Sequence, residues 1–136
     1  MGYITRKDLI DSFGQNEIER LENNIARNQD PPLDAEQKQE ITMNAIDHAS
    51  NEVDSYIAAR YDLPLPSTPE QLKRNVGDIT RYLLYKDQAT EEVIRRYEMA
   101  ISWLNKVSMG RVILVFPIKP DGDEGQPISG SGIFVV

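Results

Sequence analysis

The stretch Asn51 to Pro66, NEVDSYIAARYDLPLP, constrains this chain most tightly, because a helical pattern runs there into closely spaced prolines and must stop. Each proline lacks an amide hydrogen and pushes the residue before it out of the helical region, so Tyr61-Asp62-Leu63-Pro64-Leu65-Pro66 cannot prolong a helix. Pro31-Pro32 makes a second break upstream. Between the two breaks Ile46, Ala49, Val53 and Ile57 recur every three or four positions and draw one apolar stripe along a long helix. Asp34, with Gln37 three residues on, is placed to cap its start.

The same punctuation defines the other helices. Thr5 with Asp8 predicts a short first helix that carries Leu9, Ile10 and Phe13 and ends at Gly14; a second short piece runs from about Asn16 to Ile25. Thr68-Pro69-Glu70 combines a capping hydroxyl, a proline in the first turn and an acid near the positive end of the helix dipole. Leu72, Val76, Ile79 and Leu83 are the expected buried stripe of the helix that follows. Thr90 caps the last helix, in which Val93, Tyr97, Ile101, Leu104 and Val107 precede Gly110. Three main helices of about 15 to 25 residues plus short N-terminal helices predict an all-α fold, an antiparallel helical bundle over residues 1–110.

Residues 111–136 are expected to form an extended, partly β C-terminal arm. Arg111-Val112-Ile113-Leu114-Val115-Phe116 is β-rich, and Pro117 and Pro120 confine any strand to an edge. Asp121 to Gly132 is rich in Gly, Ser, Pro and acids, and Ile133-Phe134-Val135-Val136 is apolar again. Burying an aliphatic side chain is worth about 1.5 to 3 kcal/mol, so some surface should cover both ends of this arm. The candidates are the chain's own bundle, including a hairpin that pairs Val112 to Phe116 with Ile133 to Val136, and a neighbouring subunit. The second defines the interface expectation, with Val112, Ile113, Leu114, Val115, Phe116, Ile133, Phe134, Val135 and Val136 as its residues.

Charge and residue inventory narrow the function. Lys and Arg number 15 against 22 Asp and Glu, a net charge of −7 with the basic residues scattered among acids. That balance argues against gripping nucleic acid by phosphate neutralisation. The absence of cysteine excludes a disulfide framework, a thiolate metal site and a cysteine nucleophile. His48, the only histidine, sits in the long helix without a second ligand, and Asp121-Gly122-Asp123-Glu124-Gly125 departs from a calcium loop at Gln126 and Gly132. No catalytic, cofactor-binding or metal site is expected. No apolar run approaches the roughly 20 residues that span a bilayer, and the N-terminus holds no stretch of signal-peptide length, so no membrane partner is expected.

Three segments carry a family resemblance: Asn51 to Pro66, Asp78-Ile79-Thr80-Arg81-Tyr82-Leu83-Leu84-Tyr85, and Thr90-Glu91-Glu92-Val93-Ile94-Arg95-Arg96-Tyr97-Glu98. Together they resemble the Mu-like phage proteins of the neck region, over roughly residues 1 to 115. The resemblance implies a structural head-tail connector that assembles as a ring below the portal, commonly about twelvefold, by head-to-tail contacts that close on themselves. Its partners would be the portal and the tail or neck proteins, in the virion neck and, before assembly, in the host cytoplasm. DNA would pass through without being bound, and no turnover would be involved. Asp54, Arg60, Asp78 and Arg81 fall within these segments and are read as ion pairs that fix the helix register, with contact to the next subunit or the portal as the other reading. Tyr56, Tyr61, Tyr82, Tyr85 and Tyr97 close by favour partly buried packing, and Trp103 is a core or groove anchor. Two rivals remain: a small helical DNA-binding regulator, whose candidate helix at Pro69 to Gln88 offsets Lys73, Arg74, Arg81 and Lys86 with Glu70, Asp78 and Asp87, and a small enzyme, which lacks a converging set of reactive side chains.

Overall fold

The computed structural model describes residues 2–116. Five helices follow in order: α1 (Arg6–Phe13), α2 (Gln15–Ala26), α3 (Ala35–Ile57), α4 (Glu70–Tyr85) and α5 (Glu91–Ser108), with a 3-10 turn (Lys86–Gln88) between the last two. The all-α expectation holds, and both short N-terminal helices form where the sequence placed them. Among the described residues there is no strand. Val112 to Phe116 run without a partner strand to complete a ladder, and residues 117–136 lie outside the described residues.

Helix starts follow from local chemistry. At α1 the Thr5 hydroxyl accepts from the Asp8 amide at 3.2 Å while the Asp8 carboxylate accepts from the Thr5 amide at 2.9 Å. At α3 the Asp34 carboxylate accepts from the Gln37 amide at 2.8 Å, and the Gln37 carbonyl oxygen accepts from the Asp34 amide at 2.9 Å. These reciprocal pairs satisfy amide donors that have no partner inside the helix. Thr90 caps α5 through Val93 at 3.3 Å. The start of α4 departs from expectation: Pro69 itself is the N-cap and no side chain caps it, so the Thr68 hydroxyl does not serve there. A proline with φ of −61° already turns the chain into the helix and brings no amide of its own to satisfy.

The core sits between α3 and α4, with α2 and α5 packed on either flank. Ile46, Ala49, Val53 and Ile57 of α3 are buried against Leu72, Val76 and Ile79 of α4. The α4 stripe ends on Leu84, with Leu83 only half-buried, because α2, α3 and α5 all cover α4 and widen its buried arc. On α5, Val93, Ala100, Leu104 and Val107 are buried, and Tyr97 stacks on Tyr82 of α4 with centroids 4.0 Å apart. Gly110 closes α5 with φ of 78°, which puts its amide on the Val107 carbonyl at 3.0 Å and the Arg111 amide on the Lys106 carbonyl at 2.8 Å. This is the Schellman arrangement, and it aims the outgoing chain back at the bundle.

Candidate partner-binding surface

The outgoing chain lands on the exit of α3. That helix ends at Ile57, so Arg60 lies in the turn beyond it and not on the helix as expected. Its guanidinium lies against Gly110, where an added Cβ atom would come within 2.4 Å of Nη2 and push the flexible arginine end aside, while the φ of 78° is what favours glycine there. Next to it the Tyr61 hydroxyl accepts from the Leu114 amide at 2.9 Å, and the Tyr61 ring meets Phe116 edge-on at 6.2 Å. Leu114 is buried, and Val112 and Phe116 are half-buried on the same core.

Of the two covering surfaces considered for this segment, its own bundle takes three residues. Val112, Leu114 and Phe116 pack on their own subunit, because an extended chain turns alternate side chains to opposite faces. Ile113 and Val115 take the other face and are 67% and 75% exposed. Ile133, Phe134, Val135 and Val136 lie outside the described residues. Leu114→Ala is expected to cost about 2 kcal/mol and Tyr61→Phe about 1 kcal/mol in urea unfolding followed by circular dichroism. Unchanged midpoints in both variants would show that the segment is not docked on its own bundle.

The four charged residues read as ion pairs do not pair with one another. Arg81 of α4 donates from Nε to Glu17 of α2 at 2.9 Å, with its guanidinium carbon 4.5 Å above the Phe13 ring. Glu17 also accepts from the Tyr85 hydroxyl at 2.7 Å. Burial would raise the Glu17 pKa, but the bonds from Arg81 and Tyr85 outweigh it and hold the carboxyl below its ordinary value. Asp78 instead meets Arg96 of α5, loosely, at 3.7 Å. Asp54 accepts from the Tyr3 hydroxyl, whose pKa is pushed up by burial and then by that carboxylate. Asp54 thus ties the N-terminal residues to α3. Neither it nor Arg60 forms an ion pair among the described residues.

Burial raises the Asp78 pKa, and Arg96 and Arg81 offset only part of it. An acid whose folded pKa is raised costs stability above that pKa, and the cost is relieved as pH falls through it. Asp78→Asn is therefore expected to match or exceed the wild-type melting temperature at neutral pH, with any advantage fading on acidification. A clear loss of stability at neutral pH would show that the Arg96 contact dominates instead.

One buried cluster was not foreseen. Glu22 of α2 is 3% exposed, and it accepts from Arg6 of α1 at 2.8 and 2.9 Å and from the Thr42 hydroxyl of α3. Its trace in the sequence is positional: Glu22 follows Ile18 by four residues on the inward face of α2. The polar clusters at Glu17 and Glu22 thus join helices. His48 is exposed on α3, and among the described residues no three His, Cys, Asp or Glu side chains are grouped to hold a metal. Among the same residues no helix is long and apolar enough to cross a membrane.

The described residues thus form a small helical bundle whose helices are joined by largely buried ion pairs, with aliphatic side chains facing outward where the chain leaves it. A family model described as Bacteriophage Mu, Gp36 matches residues 3–129, and the chain belongs to that family. It is similar to the Mu-like prophage FluMu protein gp36 of Haemophilus influenzae, 41% identical over 70 residues that cover 52% of this chain and 50% of that protein. The chain thus matches about half the length of that relative. It is also similar to gene product J of Escherichia phage Mu, 28% identical over 111 residues that cover 82% of this chain and 74% of that protein.

Proposed function

We propose that this chain is a structural head-tail connector of a Mu-like phage or prophage, assembling as a ring at the virion neck between portal and tail. The observation that carries the proposal is the pair Ile113 and Val115, exposed on a segment whose other face is already docked on the bundle. Leaving an aliphatic side chain in water forgoes about 1.5 to 3 kcal/mol, so these two fit a surface completed by another subunit or neck protein. The family supplies the phage setting. The neck assignment rests on the resemblance of the Asn51 to Pro66, Asp78 to Tyr85 and Thr90 to Glu98 segments. In this role the outward side chains of the segment after Gly110 do the joining, the mechanism is assembly without turnover, and DNA passes an acidic protein that does not hold it.

The regulator reading fares worse. A recognition helix must offer an exposed face to the major groove, whereas α4 is buried at Leu72, Asn75, Val76, Gly77, Ile79, Thr80, Arg81 and Leu84 by helices on several sides. The connector role is tested by supplying Ile113→Asp with Val115→Asp to a phage or prophage that lacks the wild-type gene. Both positions are exposed, so the protein should keep its helical circular dichroism while electron microscopy shows heads without attached tails. Normal tailed particles would refute the role given to these residues.

A further inference from the structure

Among the described residues, the groove between α4 and α5 gathers positive charge on this acidic chain. Arg74, Arg95, Arg96 and Lys106 line it, with Asp78 as the one acid among its lining residues. Arg96 is occupied by Glu92 at 3.6 Å and Asp78 at 3.7 Å, while Arg74, Arg95 and Lys106 form no ion pair among the described residues. The floor holds a second, independent feature. Asn75 is 3% exposed; its carbonyl oxygen accepts from Gln71 at 3.3 Å, but its Nδ2 donor has no partner. Met99, 59% exposed, and half-buried Trp103 add an apolar anchor between the cations.

The complementary surface is on the same chain. Along α3, Glu36, Glu40, Met43 and Asp47 are all exposed at spacings of four, three and four, so they form a single stripe. None of the three acids forms an ion pair among the described residues. On this stripe Met43 lies between Glu40 and Asp47, and in the groove Met99 lies between Arg95, four residues before it, and Lys106, seven after it, so the two rows are complementary in charge.

We propose that the α3 stripe of one copy lies in the α4/α5 groove of the next. Met43 then seats beside Met99 and Trp103, and Glu40 and Asp47 face Arg95 and Lys106. Groove and stripe are different surfaces of one chain, so the contact is heterologous and repeats from copy to copy, as a ring requires. The inference rests on the connector reading and gives its ring a specific subunit contact.

The native absence of cysteine allows a direct test on the full chain. Protein carrying Met43→Cys and Met99→Cys, oxidised mildly with oxidised glutathione, should give a ladder of disulfide-linked multimers on a non-reducing gel. Either substitution alone should stop at dimers. Adding Arg95→Glu with Lys106→Glu should cut the ladder about tenfold or more, since like charges would then face each other. Adding Glu40→Lys with Asp47→Lys to that charge-reversed protein should restore it. No ladder beyond that of an exposed pair away from both surfaces, Asp11→Cys with Met109→Cys, would overturn the proposal, and so would a ladder indifferent to charge reversal. Duplex DNA binding abolished by Arg95→Glu with Lys106→Glu would also overturn it, assigning the groove to nucleic acid. Loss of the gene separates the two readings: normal tails without it refute the connector role whatever the ladder shows, whereas tailless heads with no ladder refute only this contact.

Discussion

Glu22→Ala is expected to lower the stability of the protein by about 3 kcal/mol, a large share of what holds a domain of this size together. The carboxylate receives Arg6 through two bonds and the Thr42 hydroxyl through a third, so its removal leaves a buried hydroxyl and a half-buried guanidinium without their partner. It also separates α1, α2 and α3, the three helices that the cluster joins. With a urea slope of roughly 1.5 kcal/mol per molar, the unfolding midpoint should fall by about 2 M. Glu22→Gln should lose less, because the amide still offers an acceptor to Thr42. The double change Arg6→Met with Glu22→Leu should recover much of the loss, since replacing both partners by apolar groups removes the unpaired charge. A midpoint unchanged in Glu22→Ala would mean that the cluster does not hold the helices.

Arg81→Met should cost a similar amount, about 3 kcal/mol, because it strands Glu17 beside Tyr85 and removes the cation above Phe13. Methionine keeps most of the aliphatic packing, so the loss reports mainly the charge. The pH dependence gives a second readout. The Glu17 pKa is depressed in the folded protein, so its contribution is fully present above the ordinary carboxylate pKa and is lost as pH falls through the depressed value. Wild-type protein should shed that stability on acidification, and Arg81→Met should shed much less of it. Parallel stability curves for the two proteins across the acid range would contradict the assignment.

Features set by neighbouring residues were legible in the sequence. The capping pairs at Thr5 and Asp34, the cap at Thr90, the proline breaks and the stripe through Ile46, Ala49, Val53 and Ile57 all depend on spacings of three or four, and all stand as expected. What escaped depends on distant residues meeting. Arg81 was read against Asp78, three positions away on its own helix, but its partner is Glu17, which reaches it only once α2 crosses α4. Asp54 was read as half of an ion pair and meets the Tyr3 hydroxyl. For the apolar run after Gly110 the sequence left its own bundle and a neighbouring subunit open as covering surfaces, and the extended segment divides its side chains, with Leu114 inward and Ile113 and Val115 outward. In Asn51 to Pro66 the helix stop was evident. That Arg60 and Tyr61 would form the seat for Gly110 and Leu114 was not, because it required the ends of α3 and α5 to lie side by side.

Sedimentation of the purified chain, alone and mixed with the portal protein of the same phage, tests the connector role most directly. A connector should join the portal in a single faster-sedimenting complex that carries many copies at a fixed ratio, and Ile113→Asp with Val115→Asp should abolish that complex while leaving the free protein folded. Chain and portal that sediment independently at every concentration and mixing ratio would contradict the role.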